Sequence, residues 1–515
     1  MKLTVWKLLF TSIILLTNGT KVTEKSISTS VVGMLELVQL EADLIDSLNS
    51  YADELEAKLK VLKSFVPKLQ AESNEAVTQM ENYVSNPINS FSLIRRMHED
   101  WHDWKIFMES SIGQSQVAFL NKAKLQFPTK TDLNEASSSI VRLQKMYNLT
   151  AKDMARGVLN GKQYEASLTA LDTYAMGRYL NKQNRDMARE WFVVTSELLK
   201  EQTPLTPLAG EREKVLHLFA QAIFDYEYYS IALSVFDHAL LLANKTANPT
   251  LLSKRSKFEE LARKEAEMVE KPKPKTKPTN YEIGCRGLFV RQSNMKCTYK
   301  SKDSPFLRLA PIKMEYLVLD PLVVVFHDVL SSGEIDEMQL ITKPFLERTL
   351  IQHAFGAHII QKFRTSKGMW INRNHNNLTL RIARRIMDMV DLDLQGSEPF
   401  NVMNYGIGGH YNTHYDYYNN SSVTDNRMAT VLFYMTDVEQ GGATVFPVLK
   451  QAVSPKRGSA LFWYNIKHNG NRDPRTLHGG CPVLVGSKWT VFTQWINERA
   501  NMFHRRCRKL EATAA

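Results

Sequence analysis

Cysteine is scarce in this chain. There are four in 515 residues, with no Cys-x-x-Cys spacing, which argues against a zinc site built on thiolates. Long apolar runs are also missing. No segment, the apolar stretch near the N-terminus included, stays apolar for the roughly 20 residues that a membrane helix needs. No basic stripe interleaved with stacking aromatics is present either. The net charge of +11 therefore reads as a mildly basic solvated surface, suited to an acidic protein partner and not to nucleic acid. Hydrophobic content of 43% and charged content of 23% are those of a globular protein. The length exceeds what one core usually organises, which predicts about two to four domains.

What is present begins with a compartment signal. Lys2 and Lys7 flank the start of an apolar run, Leu8 to Leu16, and small and polar residues follow near Asn18-Gly-Thr20. This is the layout of a secretory signal peptide over residues 1–19, too short to span a bilayer. The mature chain is expected to be soluble in the secretory pathway. The cysteines fall as two local pairs, Cys285 with Cys297 and Cys481 with Cys507. Four cysteines allow three connectivities, and the sequence does not choose among them. Local pairing is the expectation, at roughly 3 kcal/mol for each short closed loop, and the second pair would tie the chain near His478 to its C-terminal tail. Glycosylation sequons stand at Asn148, Asn244 and Asn377, with an overlapping pair at Asn419 and Asn420.

The periodicity changes along the chain. Over 20–145 the pattern is helical. Leu37, Leu44, Leu48, Tyr51, Leu55, Leu59, Leu62 and Phe65 recur at spacings of three, four or seven. Such a stripe seeks a partner helix, in the same chain or in a second copy, or packs on its own domain. Pro67 marks a break or kink. Over 146–268 the pattern is of paired helices. Leu216, Phe219, Ala220, Ile223, Ala232, Phe236 and Ala239 match the large and small positions of a tetratricopeptide pair, and Tyr179, Ala188 and Phe192 echo it upstream. A short stack of this kind suits a peptide-binding module. Alternating Lys and Pro from Lys271 to Pro278 forbid helix, so 269–280 reads as a linker.

Residues 281–515 turn toward strands, with Leu322–His327 the first candidate. Ser331 and Glu334 have capping-box spacing at a helix start, and Leu378–Leu392 is amphipathic. Short strand candidates follow at Phe400–Tyr405, Tyr411–Tyr417, Ala429–Met435, Ala443–Phe446, Ser459–Tyr464 and Val491–Ile496, with Gly441-Gly442 and Lys456-Arg-Gly458 as turns. Many short strands preceded by helices read as a double-sheet barrel with helices outside. Within them, His414 and Asp416 are two apart on a candidate strand and point to one side. A distant His478 on a neighbouring strand completes two imidazoles and one carboxylate on one face of a metal. That set suits non-haem Fe(II) with open positions. Lys488, ten residues past His478, could anchor an acidic cosubstrate.

Five segments carry a resemblance: Asn404 to Asp416, Arg427 to Asp437, Gly441 to Pro447, Ala460 to Asn465 and Cys481 to Trp489, with Arg364 to Trp370 beside them. Together they resemble the catalytic domain of the collagen prolyl 4-hydroxylase alpha-subunit family. The match is strong over about 315 to 500 and looser upstream. The resemblance implies a multidomain α+β chain: an N-terminal coiled-coil dimerisation region, a tetratricopeptide-like peptide-substrate domain, and a double-stranded β-helix, or jelly-roll, catalytic domain. It implies Fe(II) on His414, Asp416 and His478, and 2-oxoglutarate with its distal carboxylate on Lys488 and near Tyr405. Ascorbate is implied as a further cofactor. The implied reaction hydroxylates peptidyl proline in procollagen-like chains, releasing succinate and CO2. The implied partners are a proline-rich peptide, protein disulfide isomerase as a beta subunit and a second alpha chain. The implied place is the endoplasmic reticulum lumen, although the final Glu-Ala-Thr-Ala-Ala515 carries no Lys-Asp-Glu-Leu-type signal.

The chain departs from that family in its peptide module. Asn181, Asp186, Met187, Leu218 and Gln221 stand where tyrosines are expected, while Tyr174, Tyr179, Tyr226, Tyr228 and Tyr229 lie nearby. The iron-site residues show no such departure. His410 is expected at the rim of the site, and Trp463, Trp489 and Trp495 in the core. Two rival readings remain: an oxygenase acting on a different peptide, and a non-enzymatic binding subunit.

Overall fold

A computed structural model describes residues 30–504 except 79, 202–211, 244–248, 268–276, 291–295, 303, 349–350, 353–357, 360–364, 407 and 419–424. The expected signal peptide, residues 269–276 of the Lys/Pro linker, Asn244, Asn419, Asn420 and Cys507 lie outside the described residues. The chain forms two compact units: Gly33–Thr129 is one, and the rest of the chain is the other.

The first unit is helical. Helix α1, Val31–Thr78, runs 48 residues and continues through Pro67. Helices α2 (Trp101–Glu109) and α3 (Gln114–Ala123) return beside it. Phe65 meets Trp104 edge-on with centroids 5.6 Å apart. Lys58 Nζ donates to Ser110 O at 2.7 Å, and Gln116 Nε2 to Glu54 Oε1 at 2.9 Å. Leu48, Leu55, Leu59 and Phe65 of the predicted stripe stay exposed on this unit.

The second unit starts with helix α4, Lys130–Tyr147. Five more helices follow: α5 (Ala170–Leu180), α6 (Arg185–Glu201), α7 (Arg212–Asp225), α8 (Tyr229–Ala243) and α9 (Pro249–Glu267). The paired-helix expectation holds at its central residues. Leu216, Ala220 and Ile223 of α7 and Ala232, Phe236 and Ala239 of α8 are all fully buried. The alanines let the two backbones approach, and the large residues fill the groove between them. The short helix α10, Asn280–Cys285, opens the strand-rich part.

The strands are β1 (Cys297–Lys300), β2 (Ile312–Leu319), β3 (Leu322–His327), β4 (Glu347–Arg348), β5 (Lys367–Ile371), β6 (Phe400–Tyr405), β7 (Tyr411–His414), β8 (Arg427–Tyr434), β9 (Thr444–Phe446), β10 (Gln451–Val453), β11 (Ala460–Tyr464), β12 (His478–Gly480) and β13 (Lys488–Asn497). Two antiparallel sheets form from them among the described residues. The larger has the order β1-β2-β3-β11-β8-β13-β6-β5-β4, and the smaller β7-β12-β9-β10.

Alternation along the strands sorts the core. Val324 and Phe326 of β3 face a cluster with Ile335, Met338, Ile382 and Ile386 of helices α11 (Ser332–Thr342) and α12 (Asn377–Val390). Val323 and Val325 face the other way, against Tyr434, Phe446, Leu461 and Trp463. Both faces of the large sheet are therefore covered, one by helices and one by the small sheet. Helix α12 forms where its period predicts. The Asn376 side chain accepts from the Thr379 amide at its start, and Leu378, Ile382, Ile386 and Met389 bury one stripe. The Ser331–Glu334 capping box opens α11. Glu334 also takes a two-toothed grip from Arg385 of α12, at 2.8 and 2.9 Å.

Two expectations are corrected. The strand predicted over Tyr411–Tyr417 ends at His414, so Asp416 lies in the bend that follows. The cysteines are not paired locally in this fold. Cys285 bonds to Cys481 across 196 residues of sequence, and Cys297 is free and exposed. Helix α10 lies over the end of β12, where the Tyr281 hydroxyl donates to Gly480 O at 2.8 Å, and this brings Cys285 onto Cys481. Of the sequons, Asn148 and Asn377 are exposed.

Peptide mapping without reductant is expected to return a Cys285 peptide joined to a Cys481 peptide. Recovery of Cys285 joined to Cys297 would restore the local pairing.

Candidate active site

The pairing of β7 with β12 sets His414 directly opposite His478. Asp416 folds back from the bend beneath them. One ligating atom from each residue lies within 4.8 Å of the others. His414 Nε2 is 3.5 Å from Asp416 Oδ1, and His478 Nε2 is 3.7 Å from Asp416 Oδ2. In each histidine the other ring nitrogen is engaged by a backbone carbonyl two residues upstream. His414 Nδ1 is 2.8 Å from Asn412 O, and His478 Nδ1 is 3.0 Å from Thr476 O. A carbonyl can only accept, so Nδ1 carries the proton and Nε2 presents a lone pair inward. That tautomer is the one a metal requires.

The carboxylate is oriented from the large sheet. Thr430, on β8, donates its hydroxyl to Asp416 Oδ2 at 2.8 Å, and Asn465 Nδ2 donates to the same hydroxyl at 2.9 Å. Burial alone would raise the Asp416 carboxyl, but His478, His414 and the Arg427 guanidinium hold it well below the usual range. Burial and the neighbouring His414 bring His478 down to about 4, against the pull of Asp416. His478 is thus a neutral imidazole and Asp416 an anion at neutral pH. This donor set fits a divalent first-row metal with positions left for other ligands.

Lys488 opens β13 in register with Tyr405 at the end of β6. It is 3% exposed. Its Nζ donates to Gly442 O at 2.5 Å and sits 5.2 Å from the centroid of the Tyr405 ring. It also lies beside Gly480, two residues past His478, where an added Cβ would come within 3.9 Å of Nζ. No carboxylate pairs with it among the described residues, and burial brings its ammonium down to about 7. A buried cation held only by a carbonyl and a ring face is costly until an anion joins it. The Tyr405 hydroxyl is directed at Met403 Sδ, 3.8 Å away, and the ring, not the hydroxyl, meets Lys488.

Other expectations sort as follows. His410 is not at the rim. It is buried, with Nδ1 3.0 Å from Thr365 Oγ1, and burial beside Arg142 pushes it down to about 3. It holds the glycine turn to the Thr365 segment and stays neutral. The three tryptophans are buried as expected, yet Trp463 also lies against the His478 ring at 4.7 Å. Trp495 belongs to a ladder that the sequence reading missed. Arg427 is clamped by Glu398 and lies 3.9 Å from Trp495 and 4.5 Å from Tyr418, and Trp495 meets Trp370 at 5.6 Å. Trp370 is 51% and Tyr418 42% exposed. The only sequence signal for this ladder was aromatic residues of matching parity on strands not yet known to be neighbours.

Comparisons with known proteins agree in order along the chain. Residues 30–161 match the model of the prolyl 4-hydroxylase alpha-subunit N-terminal region, and residues 400–497 that of the 2OG-Fe(II) oxygenase superfamily. The chain is 30% identical over 521 residues to prolyl 4-hydroxylase subunit alpha-2 of Gallus gallus, covering 95% of this chain and 96% of that one. It is 32% identical over 517 residues to subunit alpha-1 of Homo sapiens, covering 93% and 95%. Among solved structures, the 2OG complex of the viral collagen prolyl hydroxylase from Paramecium bursaria Chlorella virus-1 aligns at 26% identity and a TM-score of 0.30, over 34% of this chain and 95% of that one.

Thr430→Val keeps the shape of the side chain and removes the hydroxyl on Asp416. Affinity for Mn(II), used as an air-stable divalent probe, is expected to fall by about tenfold. Titration calorimetry on the wild type and the variant measures it, and equal affinities would show that Asp416 needs no orienting donor.

Proposed function

The chain belongs to the prolyl 4-hydroxylase alpha-subunit family, and we propose that it is the catalytic subunit that hydroxylates peptidyl proline in procollagen-like chains. The observation that carries this reading is the convergence of His414, Asp416 and His478 beside the buried ammonium of Lys488, which meets no carboxylate among the described residues. The chain's superfamily implies Fe(II) and 2-oxoglutarate. In the proposal His414 Nε2, His478 Nε2 and the Asp416 carboxylate hold the iron. Lys488, backed by the Tyr405 ring, receives the distal carboxylate of the cosubstrate. Fe(II) with 2-oxoglutarate supplies dioxygen activation at C-4 of the proline, with succinate and CO2 released and ascorbate keeping the metal reduced.

The chain's own part is position and exclusion of water. The carbonyls of Asn412 and Thr476 keep both imidazoles in the metal-ready tautomer, and Thr430 holds the carboxylate. Asp416, His478 and Lys488 are each under 6% exposed, so the acidic cosubstrate exchanges water for fixed dipoles when it enters. The ladder from Trp370 through Trp495 and Arg427 to Tyr418 is the proposed wall for the peptide. Proline rings pack on aromatic faces, and the carbonyls of an extended peptide suit a guanidinium fork. The strand-rich part is proposed as a double-stranded β-helix. Helices α5 to α9 are proposed as a tetratricopeptide-like peptide module, the stripe on α1 as the seam with a second alpha chain, and protein disulfide isomerase as the beta subunit, with the assembly in the endoplasmic reticulum lumen.

A second reading, an oxygenase acting on a peptide unlike collagen, is favoured by one set of observations. Leu218 is 63% exposed where a tyrosine is expected, and the Gln221 amide is turned to Asp225. Of the tyrosines that remain, Tyr228 is buried against Phe192 with its hydroxyl on Arg185 O. The non-enzymatic reading fits poorly with an intact set of metal donors.

Mass spectrometry of proline-rich peptides incubated with Fe(II), 2-oxoglutarate and ascorbate tests both. A gain of one oxygen on proline, lost in His414→Ala, is expected. Hydroxylation confined to other residues, or equal activity in His414→Ala, overturns the proposal. Lys488→Ala is expected to act mainly on the 2-oxoglutarate requirement, raising it by tenfold or more. Arg427→Ala is expected to raise the KM for peptide more than that for 2-oxoglutarate, in steady-state assays varying each in turn.

A further inference from the structure

Helix α4 lies far upstream of the strands that carry the site, within the region that matches the alpha-subunit N-terminal model. It nonetheless rests on the two glycine turns of the site. Gly408 follows β6 with φ +54°, and a Cβ there would sit 3.0 Å from Ser139 O and 3.3 Å from a Leu143 carbon. Gly441 has φ +80°, and a Cβ there would sit 2.5 Å from the Tyr147 hydroxyl. Both positions demand glycine twice over, for the left-handed backbone and for the close approach of α4.

Polar contacts continue from these approaches toward Lys488. The Tyr147 hydroxyl donates to Pro482 O at 2.5 Å. The Gly442 amide donates to the same carbonyl at 3.1 Å. The carbonyl of that same Gly442 then accepts from Lys488 Nζ. Tyr147 is therefore one shared carbonyl away from Gly442, the residue whose own carbonyl holds the lysine. Arg142, one and a half turns earlier on α4, donates to Gly408 O at 2.8 Å, and its guanidinium meets no carboxylate among the described residues. The Gly409 carbonyl in turn accepts from Val483 N at 3.1 Å, which ties the first turn to the strand beside the second. From the other side, Arg286 holds the end of α4 through Met146 O at 2.6 Å and Lys145 O at 3.2 Å.

We propose that Tyr147 and Arg142 are positioning residues for the cosubstrate, aiming Lys488 and the Gly408–Gly409 turn from a helix outside the oxygenase strands. The inference rests on the reading of Lys488 as the 2-oxoglutarate anchor. It makes α4 part of the active site: the strands from β1 to β13 do not by themselves complete the cosubstrate pocket. Removing one buried hydroxyl that sets a hydrogen-bonded carbonyl corresponds to about a fivefold loss.

The test uses the full-length protein with any subunit that copurifies. Tyr147→Phe retains the ring and its packing and removes the hydroxyl. 2-Oxoglutarate is titrated into Mn(II)-loaded protein without oxygen, and steady-state constants and melting temperature are measured in parallel. Expected is a rise of about fivefold in the Kd and KM for 2-oxoglutarate, larger than any change in kcat or in the KM for peptide. Arg142→Met is expected to shift the same constants in the same direction. Should Arg142→Met not fold, Tyr147→Phe decides. An unchanged Kd in Tyr147→Phe, with or without a lower melting temperature, overturns the inference and leaves α4 a packing element. A wild-type protein that binds Mn(II) but no 2-oxoglutarate overturns the functional reading, and this inference with it.

Discussion

Everything at the site depends on the register between two short strands. His414 and His478 are brought side to side only because β7 and β12 pair with those residues opposite. A slip of either strand by one residue would turn its imidazole away from the other. The register is supported from several directions. The Tyr281 hydroxyl grips Gly480 O, the Cys481 amide donates to Ala443 O, and Cys481 is bonded to Cys285. Each imidazole is then fixed by a carbonyl two residues upstream, Asn412 within β7 and Thr476 in the turn that leads into β12, so the same backbone that sets the position also sets the tautomer. Asp416 is the exception: it lies past the end of its strand and takes its aim from Thr430 on the opposing sheet.

That division explains what could be read from the residues. Local period and capping were legible. The strands at Leu322–His327 and Phe400–Tyr405, the helix after Asn376 and the capping box at Ser331 stand where alternation and side-chain chemistry place them. The donor set was legible too, because His-x-Asp with a distant histidine and a following lysine is a chemical statement that needs few coordinates. Contacts between distant segments were not. The ladder of Trp370, Trp495, Arg427 and Tyr418 draws on three strands and the segment after β7, and its members look like ordinary core or surface residues until β8, β13, β6 and β5 lie side by side. His410 had the parity of a site residue. Only the fold shows that Thr365 and Arg142 enclose it.

The disulfide shows the same limit in a sharper form. Short loops close at low entropic cost, so local pairing is the natural expectation from spacing. The fold overrides it because α10 packs across β12, and Cys285 and Cys481 are both buried in the core shared by the helix pairs and the small sheet. That core contains Leu143, Tyr147, Phe192, Ala443, Val445 and Leu484 together. A boundary drawn at the Lys/Pro linker separates composition correctly, yet the hydrophobic contacts do not stop there.

The shared core bears on how the anchor lysine is tolerated. Lys488 is buried with a carbonyl and an aromatic face but no carboxylate partner among the described residues, an arrangement that costs stability. It can persist only if the surrounding backbone is held so firmly that the ammonium cannot reach solvent. β13 alone would not ensure this, since Lys488 is its first residue and strand ends fray. The Gly442 carbonyl can hold the ammonium because the amide of the same residue is pinned to Pro482 O, and the Tyr147 hydroxyl of α4 shares that acceptor. Rigidity around Lys488 is thus imported from the helical part of the chain. An acidic ligand entering there meets a cation already desolvated and aimed, so part of the cost of ordering the site is met during folding and not at the moment of binding.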